Sequence, residues 1–282
     1  MIEALSASNR SVALDLLIEG FPERSRAHWE RALANLQRYG GNAEAGAPLG
    51  YLYFEKRSLA GIMLTPAYLR RRADGSPQKI VNLSSWYVRP KQRWRAGLML
   101  KSIIADRDVV YTDLTPTPKV RQMLPALGFA PISVGVELAF LPAVALIGGW
   151  AGAVRPADPV TWMNAPGPDW AVIEAHRALG CVPLCLDGPS GTCRIVYRKA
   201  LYGKAPAASL VYIESHAKLR PSLGPLARHL LGRGIAVLHL PAKNARVGLG
   251  SVFRPRDIWF AKGDEFADRT DVLGSELTLF DL

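Results

Sequence analysis

Residues 84–104, SSWYVRPKQRWRAGLMLKSII, read as a strand, a proline-punctuated basic loop and a helix. Upstream, KIVNLSSWYV extends the strand. Downstream, DVVYTDLT supplies a second strand, TPKVRQMLPALG a short helix and FAPISVGVELAFL one or two further strands. Strand, helix and strand in this order need a crossover, so residues 80–88 and 109–114 are expected to be parallel neighbours in an α/β sheet.

Toward the N-terminus, SRAHWERALANLQRY places Trp29, Leu33 and Leu36 on one face of an amphipathic helix, which Gly40 and Gly41 end. GYLYFEKRSLAGIMLTPAYL alternates on both sides of a polar centre at Glu55, Lys56, Arg57 and Ser58, the pattern of an antiparallel hairpin. Toward the C-terminus the order partly repeats. SLVYIES, LGPLARHLL and GIAVLHL restate strand, helix and strand, followed by RDIWFAKG and ELTLF. Residues 151–170, with four prolines and two glycines, read as a linker. The expected division is thus 1–150, a linker at 151–170, and 171–282, two α/β halves, each a twisted mixed sheet with flanking helices.

The chain has 282 residues, 49% apolar and 21% charged, a globular composition that excludes disorder as the default. Its 35 basic and 24 acidic side chains give a formal charge of +11 shared between both halves, which favours anionic partners. The residues 138–154, LAFLPAVALIGGWAGAV, carry no charge but are interrupted by Pro142, Gly148 and Gly149 and fall short of a span. A buried strand followed by a loop is expected there, with a peripheral membrane contact left open. The N-terminus lacks a basic start behind a long apolar run, so no cleaved signal is expected. Cys181, Cys185 and Cys193 are odd in number and lack paired zinc spacing, and the five histidines are scattered. No metal is therefore expected, and the cysteines suit a reducing cytoplasm as small buried apolar groups.

The order of elements and several short motifs resemble the GNAT superfamily of acyl-coenzyme A-dependent N-acyltransferases. Val88-Arg89-Pro90-Lys91-Gln92-Arg93 matches the V-x-P-x-x-R start of that family's cofactor loop, and Leu127-Gly128-Phe129 matches the end of its fourth-helix motif. The early helix with Phe21, Pro22 and Trp29 and the hairpin around Gly61 are also similar. The resemblance covers roughly residues 1–142, with a fainter second copy from about Cys193 onward, and implies tandem GNAT-like domains.

The resemblance implies an acyl-CoA co-substrate, acetyl-CoA being the simplest, held at Val88, Arg93, Trp94, Arg95, Ala96 and Gly97. Amide groups of a helix's first turn suit a pyrophosphate, and guanidinium groups add bidentate contacts. The family's three glycine positions fall here on Trp94, Ala96 and Leu98, and the position of its leaving-group tyrosine falls on Leu124. Tyr111 and Asp113, on one face of the second core strand, are the candidate catalytic groups.

Three readings of function differ in class. The first is transfer of an acyl group from acyl-CoA to an amine or hydroxyl of a small-molecule acceptor. The second is a Fem-type aminoacyl transferase using aminoacyl-tRNA, which a basic surface suits, although no long helical arm is visible. The third is a non-catalytic module that binds an acyl ligand or a protein partner.

Overall fold

The computed structural model describes residues 1–245, 247–263 and 268–280. Its contacts divide into two compact units. The first takes residues 1–130 and the described residues of 260–264 and 274–282; the second takes 131–259 and the described residues of 265–273.

The first unit opens with β1 (Ile2–Ala4), α1 (Arg10–Gly20) and α2 (Arg26–Tyr39). Ser25 caps α2 by accepting the His28 N–H, and Trp29, Leu33 and Leu36 form its buried stripe, as their spacing predicts. β2 (Gly50–Glu55) and β3 (Ser58–Leu64) form the expected hairpin, whose tight turn holds Lys56 and Arg57 at φ of 47° and 67°. Such left-handed pairs match the twist of the flanking strands and are retained by the pairing around them. A second hairpin joins β4 (Ala67–Arg71) to β5 (Pro77–Asn82).

The run KIVNLSSWYV, expected as one strand, is two. β5 ends at Asn82 and β6 (Ser84–Val88) follows after Leu83, with Ser85 at φ 49°. A turn of 3-10 helix over Pro90–Arg95 leads into α3 (Ala96–Ile103), which crosses over to β7 (Val110–Asp113). β5 runs parallel to β7 with Ile80, Val81 and Asn82 opposite Val110, Tyr111 and Thr112, and the Leu83 N–H donates to the Thr112 carbonyl at 2.7 Å as the last rung. Beyond it β6 leaves β7 and pairs antiparallel with β3. The neighbouring strands therefore fork at Leu83. The parallel pairing expected of residues 80–88 holds only for 80–82: β4 and then β3 pair one edge of β5 and β6, while on the opposite edge β7 keeps its pairing only as far as Leu83. After β7 come α4 (Pro118–Met123), capped by Thr117, and a 3-10 turn closing on Gly128.

The second unit follows β8 (Ala130–Ser133). It comprises β9 (Gly135–Phe140), α5 (Leu141–Ile147), β10 (Ala153–Pro156), α6 (Pro159–Met163), β11 (Gly167–Pro168), α7 (Trp170–Ala178), β12 (Val182–Gly188), β13 (Gly191–Tyr202), β14 (Ala205–Ile213), α8 (His216–Leu219), α9 (Leu223–Leu231), β15 (Val237–Ala242) and β16 (Ser251–Arg254). The strand order is β10-β12-β13-β14-β15-β9-β16. β14 and β15 are parallel and joined through α8 and α9, a second helical crossover. Leu184, Ile195, Tyr197, Leu210, Leu226 and Leu238 fill the core between the sheet and α9. Residues 151–170 contain β10, α6 and β11; β10 hydrogen-bonds to β12 with Arg155 opposite Cys185. Prolines at Pro156 and Pro159 sit where a strand ends and a helix begins, positions that tolerate a missing N–H, so this composition is compatible with ordered structure.

β17 (Trp259–Lys262) returns the chain to the first unit, where Phe260, Ala261 and Lys262 pair antiparallel with β7. β18 (Thr270–Asp271) pairs with β14 in the second unit. α10 (Glu276–Leu279) lies in the first unit again.

Candidate active site at the strand fork

The fork between β6 and β7 opens a cavity of about 140 Å³ in the first unit. Phe21, Met63, Leu83, Trp86, Leu100 and Val120 give it an apolar wall, and Ser84, Ser85, Asp113 and Thr115 supply polar groups. Where two parallel strands separate, inward side chains lose their neighbours on one side, so a groove forms without any deletion from the core. The Trp86 indole N–H is buried and has no acceptor among the described residues, a donor left open in the cavity wall.

Asp113 ends β7 and is 8% exposed. Burial pushes its carboxyl up to about 8, and the nearby carboxyl of Glu276 adds to the rise; the Thr115 N–H and the Arg121 charge oppose it. Glu276, at the start of α10, is buried and also raised above the usual range, chiefly by burial. Thr115 donates its hydroxyl to Glu276 Oε1 at 2.8 Å, Asn82 donates its amide to Oε2, and Ser84 adds a side-chain bond. Asn82 in turn accepts from Thr112 at 3.0 Å. Two carboxyls that both resist ionisation therefore sit where the strands part. A shared environment of this kind keeps a proton near neutral pH and makes proton transfer feasible. Glu276 was not marked by the sequence, since ELTLF carries no motif and lies 194 residues from Asn82.

Tyr111 shares a strand with Asp113 but lines a neighbouring cavity with Tyr51, Lys79 and Val81. Burial pushes its phenol up to about 12, so it stays protonated at neutral pH. The structure therefore does not bring Tyr111 and Asp113 to one cavity.

The loop after β6 is not yet α-helical at Arg93. Residues 90–95 form the 3-10 turn, and the first α-helical residue is Ala96, whose N–H bonds the Arg93 carbonyl. Val88 is buried, and its carbonyl accepts from Arg93 Nε at 3.2 Å. Arg95 pairs with Glu55 at 3.1 Å and stacks 4.3 Å over the exposed Trp94 ring. Arg89 pairs with Glu19 at 2.7 Å, and Tyr87 donates to the same carboxylate at 2.9 Å. Among the described residues neither Lys91 nor Arg93 has a carboxylate partner, so the positive charge open to an anion in this turn is theirs. Gly97 faces open space: an added Cβ would meet only Met123 Cε, at 3.7 Å. The free fold does not require this glycine, so the room above it is available to a ligand.

Leu124 is fully buried and, being aliphatic, offers no acid. The three cysteines are buried and unpaired, with burial pushing Cys181 and Cys193 up to about 11, far from reactive thiolates. Among the described residues no group of three or more His, Cys, Asp and Glu side chains is placed so that it could hold a metal ion.

No protein-family model matches the sequence, and no curated protein matches it. Solved structures do, each over 93% of this chain. A GCN5-related N-acetyltransferase from Anabaena variabilis is 11% identical, covered over 72% of its own chain, with a TM-score of 0.60. A conserved protein of unknown function from Enterococcus faecalis, described as a probable N-acyltransferase, is 10% identical over 72% of its chain at 0.56. A GCN5-related N-acetyltransferase from Kribbella flavida is 12% identical over 70% of its chain at 0.54. At these identities the likeness is one of architecture. The chain has the fold of the GCN5-related N-acetyltransferases, as the resemblance read from residues 1–142 implies.

Proposed function

We propose that the first unit is an acyl-CoA-dependent acyltransferase that moves an acyl group to an amine or hydroxyl. The observation that carries this reading is the cavity at the fork, where the buried, proton-holding Asp113 faces an apolar wall beside an open basic turn. The pyrophosphate would lie against the turn leading into α3, bound by Lys91 and Arg93, with the small Ala96 and Gly97 leaving room for it, Val88 and Trp94 bordering the pantetheine and Arg95 held back by Glu55. The thioester would enter the fork, where Trp86 offers a hydrogen-bond donor to an acyl or amide oxygen.

Asp113 accepts the proton that an attacking amine sheds as its nitrogen bonds to the acyl carbon, and returns it to the departing sulfur as the carbon–sulfur bond breaks. One residue thus serves both halves of the transfer, in place of a separate acid at Leu124. Positioning in the groove supplies the remainder of the acceleration. Tyr111, neutral and in the adjoining cavity, stands in this scheme as a wall of β7. An acetyl group is small enough for the cavity of about 140 Å³.

The test is thermal stabilisation by coenzyme A and acetyl-CoA, since a ligand of the native state must raise apparent stability. Arg93→Ala should weaken binding by about 1.5–3 kcal/mol, as for hydrogen bonds to a charged group. No stabilisation at millimolar ligand would sink the proposal and leave the non-catalytic reading.

A further inference from the structure

The second unit presents an apolar stripe that the acyl-transfer reading does not use. Phe140, at the start of α5, is 54% exposed; Leu146 and Ile147 near its end are 81% and 55% exposed, and Trp150 just beyond is 77% exposed. With Ala143, these residues recur at helical spacing along one side of α5, while Leu141 and Val144 turn into the core. Leu249, 82% exposed, flanks the stripe. Its neighbour Gly250 accepts the Phe140 N–H at 2.9 Å and would bring a Cβ within 3.1 Å of Ala143.

The stripe is held rigidly. A Cβ on Gly148 would come 2.7 Å from Gly224 Cα, and one on Gly224 would come 2.4 Å from the Gly149 carbonyl, so the end of α5 rests on the backbone at the start of α9. From α9, Arg228 donates to the carbonyls of Ala145 and Gly149 at 2.8 and 2.7 Å, and its guanidinium lies 4.0 Å over the Trp150 ring. An indole body capped by a cation is suited to a boundary between apolar and charged media.

Charge decides what such a boundary faces. Residues 138–157 hold no acidic residue, and of the Lys and Arg in residues 215–256, which supply α9 and the Leu249 loop, Lys218, Arg220 and Arg256 pair with Glu214, Glu137 and Asp257, whereas Arg228, Arg233 and Arg254 have no carboxylate partner among the described residues. We propose that this face docks on an anionic membrane surface, with Leu146, Ile147, Trp150 and Leu249 entering the headgroup layer and the surrounding cations meeting acidic lipid. This is surface contact: among the described residues no helix is long and apolar enough to cross a membrane. A second copy of the chain is disfavoured as occupant, because two such faces would bring like charges together.

Co-sedimentation of the full chain with vesicles tests the proposal, using phosphatidylcholine alone or with roughly 30 mol% phosphatidylserine. Binding should be at least about tenfold stronger with the acidic lipid and should weaken as salt rises from roughly 0.1 to 0.5 M. The double variant Leu146→Glu, Ile147→Glu should lose at least about tenfold of that binding while keeping its melting temperature, since both side chains are exposed. If that variant misfolds, Arg228→Gln provides the second reading, with a smaller loss of binding to acidic vesicles. Equal binding by the variants, no preference for acidic lipid, or a concentration-dependent dimer that the double variant abolishes would each overturn the proposal.

Discussion

Replacing Asp113 by Asn should make the protein respond differently to pH in a direction fixed by the fork. In the folded chain the Asp113 carboxyl is raised to about 8 from an ordinary 3.8, so the native state holds a proton that the unfolded chain has already released. Stability from this group is fully present below pH 3.8 and is lost as pH rises toward 8. One extra bound proton corresponds to a slope of about −1.4 kcal/mol per pH unit between roughly pH 5 and 7. Asn keeps the size and remains neutral, so it lacks that slope. The stability of Asp113→Asn relative to the parent should therefore rise by about 2.7 kcal/mol between pH 5 and 7. Urea unfolding of both proteins at half-unit pH steps measures the difference directly. A difference constant with pH would refute the argument, because it would mean that Asp113 ionises as it does in water. The same variant should lose acyl transfer, whose rate in the parent should climb with pH toward a plateau above about 8, as the carboxylate form is only about a tenth populated at pH 7.

Glu276→Gln should cost about 1–3 kcal/mol of stability, because the new amide places a donor against the Asn82 donor, and it should lower the Asp113 titration by removing a neighbouring carboxyl; a carboxyl-carbon NMR titration reads that shift. Gly97→Ala should leave the free protein as stable or slightly more so, since the Cβ meets open space and Ala favours a helix, yet weaken coenzyme A binding through the lost approach; unchanged affinity in calorimetry would place the phosphate elsewhere.

Much of the first unit is legible from local pattern. Trp29, Leu33 and Leu36 announce α2 because a four-and-three spacing has only one compact use, and Glu55 to Ser58 announce a hairpin because polar turn residues interrupt two alternating runs. The fork is not legible. KIVNLSSWYV reads as one strand and stays paired along one edge with β4 and β3, so only the departure of β7 from its other edge makes Leu83 the point of the fork, and that departure leaves no mark in the run itself. The start of α3 is not legible either: Arg93, Trp94 and Arg95 have ordinary helical propensity, yet they lie in a 3-10 turn where Arg93 bonds the Val88 carbonyl and Arg95 pairs with Glu55 and stacks on Trp94. Asp113 was visible as a polar residue at a strand's end. Its environment was not, because Glu276 comes from a segment whose five letters hold no pattern and whose partner lies across most of the chain.

The route of the backbone gives the fork a place in time. β17 and α10 belong to the first unit, although the second unit's residues are threaded between them and Ala130. A ribosome adding about 5–20 residues per second needs roughly 7–30 s to proceed from residue 130 to residue 274. Before then the β7 edge lacks the β17 strand, and Asn82 and Thr115 lack the Glu276 carboxyl to which they donate. The first unit is therefore begun first and completed last, and the paired carboxyls at the fork come together only after the second unit has emerged.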